Sequence, residues 1–207
     1  QAEDGIRDRS PSRGLGDVYK RQTKSIICRQ AQAMVESAAH FVGAHPMAGS
    51  EKTGMEYASA DLFNNRPCIV TPLEESNESA TQRIVQFWKS LGATTYLKTP
   101  EDHDEIVAHV SHLPHLLASS LCKFLNKTPE EWSLLNSTGL KDTTRIAAGD
   151  PRLWKAIIET NQNEIGRALS EFQDELHCIQ SALTNGNMAE LVVILQQGKQ
   201  YRDRLAD

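Results

Sequence analysis

Thr99-Pro100-Glu101-Asp102 divides this chain into two textures. A threonine cap, a proline in the first helical position and acids in the first turn together make a strong helix start. The hydroxyl accepts from an otherwise unpaired amide, the proline ring is preset for the helix, and the carboxylates face the positive end of the dipole. Ile106, Val110, Leu113, Leu117, Leu121 and Phe124 then follow at helical spacing for about seven turns. Pro114 falls inside this run, where it frees the Val110 carbonyl and bends the helix. Thr128-Pro129-Glu130-Glu131 repeats the start signal, and after a looser stretch from Asn136 to Gly149 so does Asp150-Pro151. One long helix is expected from Pro151 to about Leu183, with Ile158, Ile165, Phe172 and Ile179 recurring every seven residues, as do Leu169, Leu176 and Leu183. That is an a/d seam, interrupted at Gln162, which wants another helix against it. Thr184-Asn185-Gly186-Asn187 makes a turn, and Met188, Leu191, Val192 and Leu195 open a last helix. The seam fits the core of an intramolecular bundle; its length in a helical region this short also assigns part of it to a dimer interface.

Before Thr99 the texture alternates. Thr23 to Ala39 reads as a helix, Phe41 to Ala44 and Cys68 to Val70 as short strands, Ser79 to Leu91 as a helix closed by Gly92, and Ala93 to Leu97 as a strand. This is the rhythm of a doubly wound sheet near its end. The first strand stops at His45-Pro46, since proline lacks an amide donor and keeps the preceding residue extended. A small-residue loop follows, Met47-Ala48-Gly49-Ser50-Glu51-Lys52-Thr53-Gly54. In open α/β sheets ligands bind beyond the carboxyl ends of strands, which is where His45 is expected. From position alone such a histidine is more often structural than catalytic.

Composition narrows the classes. The 207 residues carry a formal net charge of −5 and no basic stripe interleaved with aromatics, so a nucleic-acid partner is not indicated. No run approaches the ~18 apolar residues of a membrane span. Cys28, Cys68, Cys122 and Cys178 are scattered without a CxxC pair, a pattern of reduced thiols in a cytoplasmic protein. Residues 1–22 lack periodicity and apolar content; they resemble the translated read-through of a sequencing adapter and are expected to be a non-native or disordered tail.

The words around His45 add to this. HPMAGSEKTG, then Ala60-Asp61-Leu62-Phe63 and Pro67-Cys68-Ile69-Val70-Thr71-Pro72, resemble the signature of prephenate and arogenate dehydrogenases. SHLPH (Ser111 to His115) and KDTTRIAAGDPRLW (Lys141 to Trp154) resemble that family's helical domain, in the same order. The resemblance implies an α/β fragment, the C-terminal part of a Rossmann-like domain, over 23–98. It implies an all-helical dimerisation and substrate domain over 99–207. It also implies a glycine-rich βαβ unit upstream; no GxGxxG occurs in the chain, which is therefore expected to be an N-terminally truncated fragment that binds dinucleotide weakly.

In that family prephenate or arogenate is oxidatively decarboxylated with NAD or NADP as hydride acceptor, in tyrosine biosynthesis. The resemblance assigns His45 to catalysis, because a neutral imidazole takes a hydroxyl proton near working pH. It assigns Arg145 to the substrate carboxylate, which a guanidinium pairs bidentately. Ser50 and Glu51 are expected to line the substrate pocket, His115 to stand beside the substrate, and Trp154 to lie near it. His112 and His115 share a helix face, but no zinc motif accompanies them and no metal is expected. A competing reading is a non-catalytic helical dimer module with an α/β remnant; a third is another dehydrogenase with a helical C-terminal domain, against which SHLPH and KDTTRIAAGDP count.

Overall fold

A computed structural model describes residues 23–34, 40–48 and 59–205. Three strands, β1 (Gly43–Pro46), β2 (Pro67–Thr71) and β3 (Thr94–Leu97), form a sheet in the order β1-β2-β3. β2 and β3 are parallel and joined by α2 (Glu78–Ser90), whose N-cap Asn77 accepts from the Ala80 amide. Cys68, Val70, Val85 and Ala93 make the buried core of this layer, with Phe63 and Trp88 packed against it. The preceding helix, α1, covers Ser25–Met34; the expected continuation through 35–39 lies outside the described residues.

β1 differs from expectation in two ways. It starts later and runs through His45-Pro46, because the pairing with β2 continues to Pro46↔Cys68 and the Met47 amide still reaches the Pro67 carbonyl at 2.7 Å. It is also antiparallel to β2, so its carboxyl end lies beside the amino ends of β2 and β3. The strand-end rule for parallel sheets therefore does not place His45; the helix after β3 does.

That helix opens as α3 (Pro100–Val107), with Thr99 accepting from the Asp102 amide at 3.0 Å. The expected bend is a π-helical turn, Ala108–His112, in which the Leu113 amide reaches back to the Ala108 carbonyl before α4 (Leu113–Leu125) continues. Pro114 has no amide to offer a regular ladder, and the wider turn ahead of it takes up the defect. The buried face matches the apolar one read from spacing only in part: Leu113 is buried, and Ile106, Leu117 and Leu121 are half-buried. Val110 and Phe124 are exposed, while His103, Asp104, Val107, Ala108, His112 and His115 are buried. Polar groups hydrogen-bonded to one another, His103, Asp104 and His112 among them, make up much of the face that turns in.

Thr128-Pro129 yields only a 3-10 helix, Glu130–Leu135, since the Thr128 hydroxyl donates back to the Leu125 carbonyl instead of capping forward. α5 (Thr138–Thr144) and a 3-10 turn (Arg145–Ala148) lead to α6 (Pro151–Thr160), capped by Asp150. The expected single helix from Pro151 to Leu183 is two: α6 ends at Asn161 (φ −135°, ψ 29°), and α7 covers Gln162–Thr184. The buried Asn161 side chain donates to the Asp104 carbonyl in α3 and lies 3.3 Å from His112 Nδ1 in the π-helical turn, which holds its backbone out of the helix. α8 covers Met188–Arg204. Among the described residues no strand occurs after Leu97, and no helix is long and apolar enough to cross a membrane.

Inter-residue contacts group the chain into two compact units, 1–165 and 166–207. In the second, Leu176, Leu183, Met188, Val192 and Leu195 are exposed.

Candidate active site

His45 sits on β1 with its Nδ1 2.8 Å from His103 Nε2. His103 Nδ1 in turn lies 2.8 Å from Asp104 Oδ1. All three residues are buried. The Asp104 carboxylate also accepts the backbone amides of Lys24, at 2.7 Å, and Ser25, at 2.9 Å. These amides open α1, where unpaired donors and the helix dipole favour an anion. Burial alone would push the Asp104 carboxyl up, but the hydrogen bonds from His103, Ser25 and Lys24 outweigh it and hold it below the usual carboxylate value. Burial pushes the His103 imidazole down; Asp104 opposes this and the Lys24 charge adds to it. The pair is thus an ionised carboxylate hydrogen-bonded to a neutral imidazole.

From Asp104 the polar chain continues. Asn161 Nδ2 donates to the Asp104 carbonyl at 2.8 Å and lies 3.3 Å from His112 Nδ1. His112 Nε2 is buried with no hydrogen-bond partner among the described residues. The His112 ring meets Trp154 edge to face, and the other neighbour of that indole is His115, stacked at 3.5 Å and 10°. The stack needs a glycine at 149: a Cβ there would lie 2.5 Å from Trp154 Nε1 and 3.1 Å from His115 Cε1. Burial lowers the His115 imidazole, opposed by a hydrogen bond to the Ile146 backbone, so it stacks as a neutral ring.

A cavity of about 830 Å³ opens over this stack, lined by His115, Thr144, Ala147, Ala148, Gly149 and Trp154 among others. Its size suits a small organic ligand, and an aromatic face beside it offers stacking to a ring.

The structure treats the expected site residues differently. His115 and Trp154 line the cavity together. Arg145 begins the 3-10 turn whose Ala147 and Ala148 line it, and is itself exposed. His45 is not among the lining residues; it is linked to them through His103, Asp104, Asn161 and His112. Ser50 and Glu51 lie outside the described residues. Among those described, no three His, Cys, Asp or Glu converge as metal ligands.

The layout is a parallel-strand crossover followed by helices that bury histidines beside a cavity of about 830 Å³. The chain belongs to the prephenate dehydrogenase family: residues 19–97 match the family's nucleotide-binding domain and 99–197 its dimerization domain. It is 31% identical over 186 residues to the prephenate dehydrogenase of Bacillus subtilis, covering 88% of this chain and 50% of that protein. It is 31% identical over 149 residues to the cyclohexadienyl dehydrogenase of Zymomonas mobilis, covering 70% of this chain and 51% of that protein. Among solved structures it resembles prephenate dehydrogenase from A. aeolicus, in complex with hydroxyphenyl propionate and NAD+, with a TM-score of 0.81 and 29% identity over 89% of this chain and 65% of that one. Synechocystis arogenate dehydrogenase is similar at a TM-score of 0.78 and 29% identity, over 88% of this chain and 66% of that one. The chain spans about half the length of the curated relatives it matches.

Proposed function

We propose that this chain is the substrate-handling part of an NAD(P)-dependent prephenate or arogenate dehydrogenase of tyrosine biosynthesis, cytoplasmic and homodimeric through its helical region, with its parts at 23–98 and 99–207. The observation that carries the reading is the cavity beside stacked His115 and Trp154, next to the turn that bears Arg145, in a chain of this family.

The substrate class is a cyclohexadienyl ring with a hydroxyl and a ring carboxylate. A bound NAD(P)+ would supply the hydride acceptor; this chain contains no GxGxxG turn for the pyrophosphate, so no residue here is assigned to it. The chain's own residues hold the ring and manage charge. His45 takes the hydroxyl proton as the carbonyl forms, Arg145 holds a carboxylate by its planar fork, and Trp154 with His115 gives the ring an aromatic wall. Ser50 and Glu51 are assigned to the substrate pocket by the family resemblance alone. The exposed apolar positions Leu176, Leu183 and Leu195 support a dimer, since such residues on neighbouring helices want a partner.

The test is calorimetric titration of hydroxyphenyl propionate into this chain, alongside steady-state assays of the complete reading frame with prephenate and arogenate and with each cofactor. Arg145→Ala is expected to weaken ligand binding and raise KM, because it removes a contact to a carboxylate already charged in the ground state. Unchanged affinity and KM in that variant would remove Arg145 from the site. A complete protein inactive on both substrates would leave the non-catalytic helical module.

A further inference from the structure

With a neutral His103, the hydrogen bonds from Asp104 through His103 to His45 point to one assignment of protons. Both Asp104 oxygens accept backbone amides, Oδ1 from Lys24 and Oδ2 from Ser25, and the side chain is almost wholly buried. A carboxylate so placed can only accept, so the His103 nitrogen 2.8 Å from Oδ1 must be an N–H donor. His103 is fully buried, and a neutral ring with its proton on Nδ1 has its lone pair on Nε2. That lone pair faces His45 Nδ1 at 2.8 Å, which must then carry a proton and donate it. The lone pair of neutral His45 is left on Nε2.

We propose that His103 and Asp104 are positioning residues that lock His45 in the Nδ1–H tautomer, presenting Nε2 as the proton acceptor. The proposal rests on the dehydrogenase reading only for what His45 does with that lone pair. When a hydroxyl gives its proton to Nε2, the O–H electron pair stays on the oxygen and the ring becomes an imidazolium. Its Nδ1–H bond to His103 then becomes charge-assisted, with the Asp104 carboxylate one ring further on to balance the charge. The arrangement differs from a direct His–carboxylate pair in having a second imidazole as the spacer. It also rigidifies the site, because the anchoring amides belong to a helix start and the ring orientations follow from it.

The tautomer is read directly by two-bond 1H–15N correlation spectra of the 15N-histidine-labelled chain at pH 7.5, assigned with His45→Gln and His103→Gln. The expected result is a protonated Nδ1 and an unprotonated Nε2 on both rings. In Asp104→Asn, folding being checked by circular dichroism, the amide can donate to His103 Nδ1; the His103 ring reverses and the His45 signals move toward a mixture of tautomers. An Nε2–H tautomer of His45 in the parent chain, or His45 signals indifferent to Asp104→Asn, would overturn the proposal. In the complete protein, Asp104→Asn is expected to lower kcat by about tenfold or more with KM changed less than about twofold, and Asp104→Glu to restore part of the loss. Loss of KM alone would mark Asp104 as structural and count against the proposal. The two readings fail separately. Nδ1–H at His45 in a protein without dehydrogenase activity sinks the function and leaves the tautomer, whereas Nε2–H in an active enzyme does the reverse.

Discussion

His112 makes the stability of this chain acid-sensitive by an amount that follows from its surroundings. Burial pushes the imidazole from 6.5 to about 4; the Asp104 carboxylate opposes this, and His103 and His115 add to it. Nε2 has no partner among the described residues to receive a proton, which agrees with a ring kept neutral. Between those two values the unfolded chain holds the proton and the folded one does not. The contribution is therefore fully present above pH 6.5 and is lost as pH falls toward 4. The gap is worth about 3 kcal/mol at roughly 1.4 kcal/mol per pH unit, of which about 2 kcal/mol is gone by pH 5. Urea unfolding at pH 7 and pH 5 measures the loss, and His112→Phe removes the titrating group while keeping a ring against Trp154. The variant has its own cost, equal at both pH values, so the informative quantity is the pH 7-to-5 difference. That difference should shrink by about 2 kcal/mol in His112→Phe, with a residue left from His103 and His115, which burial also lowers. A variant that loses as much stability as the parent on acidification, within about 0.5 kcal/mol, would refute the reasoning; His112→Asn serves the same comparison should the phenylalanine not fold.

Two further outcomes are expected. Gly43→Ala places a Cβ 2.4 Å from Thr71 Oγ1 and 2.6 Å from Cys28 Sγ, at a buried strand position two residues before His45, and should destabilise by about 1–3 kcal/mol in the same urea assay; a neutral substitution would contradict the packing there. Cys28 and Cys68 are buried with thiols raised by burial, that of Cys68 to about 12, while Cys122 and Cys178 are exposed. A thiol reagent at pH 8 should therefore titrate at most two cysteines in the folded chain and four after denaturation; a third fast thiol would show the sheet core to be open.

The sequence was most informative where local chemistry acts alone. Thr99 and Asp150 cap the helices they were expected to cap, because a cap needs only its own following amides. The switch from alternating elements to helices at Thr99 was legible for the same reason. Asn161 was not: within the seam pattern it reads as one more polar helix residue, and what stops the helix is the Asp104 carbonyl, distant in the chain. Thr128 failed in the other direction, its hydroxyl turning back to Leu125. His103 and Asp104, which hold His45, went unmarked because apolar spacing selected Ile106 and Val110 as the inner face of that helix. The available signal was chemical: a run of ionisable residues from Glu101 to Glu105 in a helix's first turns, with three more histidines further along the same helical stretch at His109, His112 and His115. Polar residues clustered this way pay for burial only if they satisfy one another, which spacing rules do not count.

The amides of Lys24 and Ser25 that grip Asp104, and the imidazole of His45 that meets His103, bear on how such a chain can be cut and recombined. The change of texture at Thr99 invites a junction there, yet a break between 98 and 99 would strand one carboxylate, two amides and two imidazoles on opposite sides of the cut. Each half would expose or bury them unpaired, and a chimera assembled from two relatives at that point inherits its proton wiring from two parents. An exchange that keeps the wiring intact must carry Lys24, Ser25 and His45 from the same source as His103 and Asp104. The unit of inheritance in this protein is the hydrogen-bonded set, and it straddles the place where the change of texture invites division.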